Sequence, residues 1–234
     1  PVIPGHEHSA FKLTDEAAKV GVRQISVEYL KVPIDANKKF GSDLRKIMLP
    51  NPISLYRNLN AEKQGREYIL PLNYRSKYLV EMKRTANEQG MSMGFADNDL
   101  LLHSDGSTCC NGANLYLKDA NYHEANVASL AKSKSVGDNI HFSDFLTRWL
   151  PEYGVSSHLN SKARIPAKDL NHEGWLGYLQ KMWQGEYSLY KPDYFDGVEF
   201  SGQFDNMDLP IYVRVQSEFG RKIQSFEPRN LKTC

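Results

Sequence analysis

The chain has 234 residues, enough for one large domain or two small ones. Hydrophobic residues make up 41% and charged residues 24%, which excludes global disorder. The net charge of +1 argues against a polybasic protein held to nucleic acid by bulk charge.

Along residues 1–100 the sequence predicts alternating strands and helices. Val2-Ile3 reads as a strand stub closed by Pro4-Gly5. Ala10, Leu13, Ala17 and Val20 recur at helical spacing, and Gly21 stands where a C-cap belongs. Gln24 to Leu30 is rich in strand formers and is stopped by Pro33. Phe40, Leu44, Ile47 and Met48 mark a second amphipathic helix, and Glu67 to Leu70 a third strand. Tyr78, Leu79, Met82 and Ala86 mark a third helix ended by Gly90, and Met91 to Ala96 a fourth strand. This pattern predicts an α/β fold of parallel βα units over residues 1–115, either half of a βα barrel or part of an open sheet. Beyond it, helices are expected near Lys118–Leu130 and Ser143–Leu150, with irregular α+β structure over 151–210. Residues 116–234 are therefore taken as a C-terminal extension.

In parallel βα architectures chemistry collects at the strand C-termini, which singles out Gly5, Glu28 and Asp97-Asn98-Asp99. A carboxylate at Glu28, in a strand covered on both faces, needs a partner: either a neighbouring strand's cation or a bound ligand. The run Asp97-Asn98-Asp99, His103, Asp105, Cys109-Cys110 is the densest set of ligand-type residues, yet it fits no calcium or zinc template. By spacing alone a polar loop whose Asp and Asn cap turns is the better reading. His6 and His8 form the only close histidine pair. Trp149, Trp175 and Trp183, with Tyr178, Tyr187, Tyr190 and Tyr194, have the chemistry to stack bases but default to core. The sequence contains no Walker A loop, GxGxxG, HExxH or GxSxG motif.

Three cysteines, two of them adjacent, cannot build a disulfide framework, so a reducing, cytoplasmic setting is expected. No apolar run approaches the roughly 20 residues of a membrane span. The chain opens on Pro1 with no lead-in to its first strand, so a fragment lacking an N-terminal portion is expected.

Pro1-Val2-Ile3-Pro4-Gly5, a helix, and then Gly21 to Pro33 resemble the second half of a radical S-adenosylmethionine barrel. Gly90 to Asp99, followed by Cys109-Cys110 and Gly112, resembles the spore-photoproduct-lyase-like branch of that family. The resemblance covers residues 1–115. It implies a [4Fe–4S] cluster that cleaves S-adenosylmethionine to a 5′-deoxyadenosyl radical. It also implies that Ile3, Pro4 and Gly5 line the adenine side of the S-adenosylmethionine pocket, completed around Glu28 and Tyr29. Asp97, Asn98, Asp99 and His103 would face the substrate. Cys109 and Cys110 would lie on the Gly5 side of the barrel, as candidate ligands of an auxiliary cluster. The family's Cys-x₃-Cys-x₂-Cys cluster loop is absent from this sequence, so it is expected in the missing N-terminal half.

Two alternatives stand beside this one. A carboxylate enzyme would hold Mg²⁺ on Asp97 or Asp99 and use Glu28 as base. A non-catalytic module would dock a protein or nucleic acid on its aromatic half, a reading the charge balance weakens.

Overall fold

A computed structural model describes residues 1–35, 51–106, 126–148, 172–186 and 191–225. By internal contacts the chain divides into two units. The first holds Pro1–Arg23 and Val27–Met91, and the second holds Gln24–Ser26 and Ser92–Cys234. The boundary predicted after residue 115 falls inside the second unit.

In the first unit Val2 forms a parallel bridge to Tyr29. Val2 N donates to Glu28 O at 2.7 Å, and Leu30 N donates to Val2 O at 2.9 Å. The chain then turns at Pro4-Gly5, with Gly5 at φ +85°, and enters α1 (Glu7–Lys19). The predicted terminator works as expected. Gly21, at φ +80°, donates to Ala18 O, and Val22 donates to Ala17 O, the paired bonds of a Schellman ending. The predicted apolar stripe is corrected: Leu13 is 70% and Val20 80% exposed, whereas Glu7 and Thr14 are buried. The helix packs against α3.

After α1 comes β1 (Gln24–Val27), and then β2 (Val32–Pro33). The short helix α2 (Pro52–Asn58) is started by Asn51, whose side chain accepts from Ile53 N at 2.9 Å, with Pro52 at the first helical position. Strands β3 (Glu62–Gln64) and β4 (Glu67–Ile69) follow. The predicted third parallel strand is also corrected. Glu67–Ile69 is the centre of an antiparallel three-stranded sheet ordered β2-β4-β3. The cause is local. Gln64 pairs with Glu67 across a two-residue turn, and Gly65 at φ +59° supplies the left-handed conformation such a tight hairpin needs. Helix α3 (Leu72–Glu88) buries Leu79, Met82 and Ala86 as predicted and ends before Gly90 at φ +76°. The helix predicted over 40–48 lies outside the described residues.

In the second unit β1 pairs in parallel with β5 (Ser92–Phe95), the predicted fourth strand. The chain then folds back along the free edge of β5 and occupies its hydrogen-bonding groups. Met93 N donates to Asp105 Oδ2 at 2.6 Å, Asp105 N to Met93 O at 3.0 Å, and Phe95 N to Ser104 Oγ at 2.9 Å. Between them runs a 3₁₀ turn, Asn98–His103. Helix α4 (Val127–Lys132) begins at an Asn126 cap, so the helix predicted over 118–130 does not run through position 126. Next come β6 (Asn139–Ile140), α5 (Phe142–Leu146) and α6 (His172–Gln184). Strands β7 (Val198–Phe204) and β8 (Pro210–Arg214) and helix α7 (Glu218–Gln224) complete the unit.

The irregular structure expected over 151–210 is corrected by this antiparallel sheet, ordered β6-β8-β7, and by α6. Their core gathers Phe142, Phe145, Trp183 and Tyr212, all 0–1% exposed. Trp183 Nε1 donates to Pro210 O, and the Tyr212 hydroxyl donates to Trp183 O, each at 2.8 Å. Both polar tips are thereby satisfied inside the core. The fold is mixed α/β with small sheets, and none closes into a barrel among the described residues. No described helix is long and apolar enough to cross a membrane.

Candidate functional site

The Pro4-Gly5 turn is built around a buried carboxylate. Ile3 is half-buried, Pro4 buried and Gly5 exposed, with open space where a side chain at Gly5 would stand. Two residues on, Glu7 occupies the first turn of α1, where a negative group suits the helix dipole, yet it is only 6% exposed. Its Oε1 accepts from the Tyr74 hydroxyl at 2.9 Å and from the Tyr29 hydroxyl at 3.3 Å. The tyrosine rings touch in series, Tyr29 to Tyr74 at 5.9 Å and Tyr74 to Tyr78 at 6.1 Å.

Burial pushes the Tyr29 phenol far above its ordinary range, and the Glu7 charge adds to the shift. Burial followed by the hydrogen bond to Glu7 does the same to Tyr74, while the Gly5 backbone amide pulls the other way. Tyr74 thus ties the turn to α3 and, through Glu7, to Tyr29.

Tyr29 and Gly5, predicted together, do meet through Glu7 and Tyr74. Tyr29 is 2% exposed, with its ring edge-on to Tyr74. Glu28 is corrected as a buried charge: its side chain is 39% exposed and pairs with Lys31 at 3.0 Å, three residues along the same segment. Nothing in sequence spacing links positions 7, 29 and 74, so Glu7 and Tyr74 were not legible as a pair.

The second cluster follows β5. Asp97, 2% exposed, stands at the start of the 3₁₀ turn, and its carbonyl accepts from Leu100 N. Asn98 and Asp99 are half-buried, and the Asp99 carbonyl accepts from Asp196 N at 2.7 Å. His103 closes the turn with Nε2 at 2.7 Å from Asp196 Oδ2, the two side chains 7% and 16% exposed. Burial alone would raise the Asp196 carboxyl, but hydrogen bonds from His103 and Ser217, with the charges of His103 and Arg214, hold it below its ordinary 3.8.

Ser217 plays two parts, because its hydroxyl oxygen also accepts from Gly220 N at 2.9 Å and so caps α7. Phe219 on that helix meets the His103 ring edge-on at 5.1 Å. The arrangement orients one imidazole against an ionised carboxylate, the pairing that acid–base chemistry uses. His103 was predicted and Asp196 was not. They are 93 positions apart.

The remaining expectations divide. The Asp105 carboxylate accepts from Met93 N on β5, 12 positions back, a bond to a strand edge and not the turn cap expected of this loop. His6 and His8 are exposed, with ring centroids 6.2 Å apart. Trp183 is fully buried, as the default core reading expected. Cys109 and Cys110 lie outside the described residues, as do Trp149, Tyr187, Tyr190 and the side chain of Trp175. Among the described residues no group of three or more His, Cys, Asp or Glu is gathered to hold a metal ion. Compared with known proteins, the chain matches no family model, no curated protein and no solved structure.

Proposed function

We propose that this chain is the later part of a radical S-adenosylmethionine enzyme, a partial βα barrel followed by an α+β extension. In this reading Ile3, Pro4 and Gly5 line the adenine side of the S-adenosylmethionine pocket, and Asp97, Asn98, Asp99 and His103 face the substrate. The observation that carries it is the order strand stub, Pro4-Gly5 turn, α1, then a strand parallel to the stub at Tyr29. A glycine turn at a strand C-terminus, opening a helix, is where βα folds receive ligands.

The turn suits such a contact. Gly5 leaves its backbone open to approach, and the Tyr74–Glu7 bond fixes the turn from within. By strand alternation the Ile3 amide points away from Tyr29, and it has no partner among the described residues. The Ile3 carbonyl on the same edge accepts from His6 N at 2.9 Å, so among the described residues the Ile3 amide is the group left there for a further strand. The cluster is a different matter. The Cys-x₃-Cys-x₂-Cys ligand loop is not in this sequence, so the residues of this chain do not fit the [4Fe–4S] group, and its ligands must come from elsewhere in the protein.

The test is iron and acid-labile sulfide analysis of the product of the complete gene, purified without oxygen. The proposal predicts both, in the proportions of a [4Fe–4S] cluster and bound by a three-cysteine loop preceding Pro1. A complete product with neither the loop nor iron and sulfide would overturn it.

A further inference from the structure

His103 is gripped on several sides. Its Nε2 meets Asp196, Phe219 covers a ring edge, and Gly220 comes so close that a methyl group there would stand 3.0 Å from Cε1. Asp196 is held in its ionised form by His103, Ser217 and Arg214, and an ionised carboxylate only accepts. The proton of the neutral imidazole therefore sits on Nε2, and Nδ1 presents a lone pair. Among the described residues that lone pair has no hydrogen-bond partner, although the side chain is only 7% exposed. Buried acceptors without partners are rare, and each one needs a reason. An imidazole kept only to dock α7 would gain by bonding through both nitrogens. This one is oriented through Nε2, and its Nδ1 is left without a partner among the described residues.

We infer that His103 is a general base. Its Nδ1 takes the proton of a small substrate carrying a hydroxyl or amine, bound beyond the C-terminal end of β5, while Asp196 is the positioning residue. In the step the substrate X–H bond breaks, its electron pair stays on X, and an N–H bond forms at Nδ1. The imidazolium so formed is balanced by the Asp196 carboxylate, and the proton returns when X is protonated or bonded elsewhere. Position supports this, because the 3₁₀ turn carrying Asp97, Asp99 and His103 begins just after the parallel strand, where catalytic groups of βα folds collect. The inference goes beyond the radical reading and needs neither iron nor S-adenosylmethionine, so either can fail alone.

Diethyl pyrocarbonate tests it, because this small reagent acylates the free lone pair of a neutral imidazole. The folded chain is treated at neutral pH and each histidine is followed by peptide mass spectrometry, with exposed His6 and His8 as internal references. The inference predicts that His103 is acylated at a rate comparable to theirs despite its burial. It also predicts that Asp196→Asn slows His103 about tenfold or more, by losing the fixed tautomer and the charge partner, and leaves His6 and His8 unchanged. His103 left unmodified while His6 and His8 react fully would overturn it, as would an unchanged rate in Asp196→Asn. Long-range ¹⁵N spectra of the unmutated chain give a second check that depends on no variant. A proton on Nε2 with Nδ1 bare supports the inference, and a proton on Nδ1 overturns it.

Discussion

Asp196→Asn is the substitution that isolates the electrostatics of the second unit. The carboxylate accepts from His103 at 2.7 Å and from Ser217, beside the Arg214 guanidinium. Asparagine keeps the shape but has one acceptor oxygen, and its amide nitrogen then faces a second donor. Hydrogen bonds to charged groups contribute about 1.5–3 kcal/mol each, so losing one and straining the other should destabilise the unit by about 2–3 kcal/mol near neutral pH. All three tryptophans lie in this unit, so their fluorescence follows its unfolding in urea. With a denaturant slope of about 2 kcal/mol/M, the midpoint should fall by about 1 M.

The effect must also depend on pH with a definite sign. The folded carboxyl titrates below its ordinary 3.8, so its contribution is fully present above that value. It is lost as pH falls through the folded value, and wild type and variant should converge well below pH 3.8. Equal midpoints at pH 7, or a gap that persists unchanged into strong acid, would refute this account of the pair.

Gly197→Ala should be more damaging, by about 2–4 kcal/mol, because φ is +94° and the new Cβ would collide with the Arg214 guanidinium and crowd Val215 O. The same urea titration reads it, and a loss below about 1 kcal/mol would mean the turn is not held as described. Tyr74→Phe removes one of the two phenols on Glu7 and should cost about 1 kcal/mol, with faster hydrogen exchange confined to residues 1–10 and 72–80. Exchange rates unchanged there would show that Tyr74 does not hold the turn. Tyr29, Tyr74 and Tyr212 are all pushed above their ordinary 10.0, so an alkaline absorbance titration should find at least these three of the 13 tyrosines still protonated above pH 10. Asn126→Ala removes the bond to Ser129 N that starts α4 and should cost about 1 kcal/mol.

What the sequence disclosed was local. Gly21 and Gly90 announced their helix ends because only a left-handed residue fits there, and Leu79, Met82 and Ala86 announced a buried helix face by spacing. The parallel bridge at Val2 follows from the same alternation. What failed depended on partners far along the chain or on a single turn. Gly65 reverses the chain within two residues and makes Glu67–Ile69 antiparallel, a signal hidden beside polar neighbours. The α1 stripe misled because Leu13 and Val20 have the right spacing, yet two tyrosines elsewhere draw Glu7 inward. In the candidate site, His103 was legible as a ligand-type residue near a strand end. Asp196, which gives it a defined chemistry, sits in an unrelated-looking Phe-Asp-Gly segment.

The claim that the Ile3–Gly5 turn receives the adenine of S-adenosylmethionine is met most directly by photolabelling. The complete gene product, purified without oxygen, is irradiated with S-adenosylmethionine carrying an 8-azidoadenine ring, and the labelled peptide is sequenced. The account predicts label in the peptide containing Ile3, Pro4 and Gly5, lost when excess unlabelled S-adenosylmethionine is present. Label that never enters that peptide, or that excess S-adenosylmethionine does not displace, would contradict it.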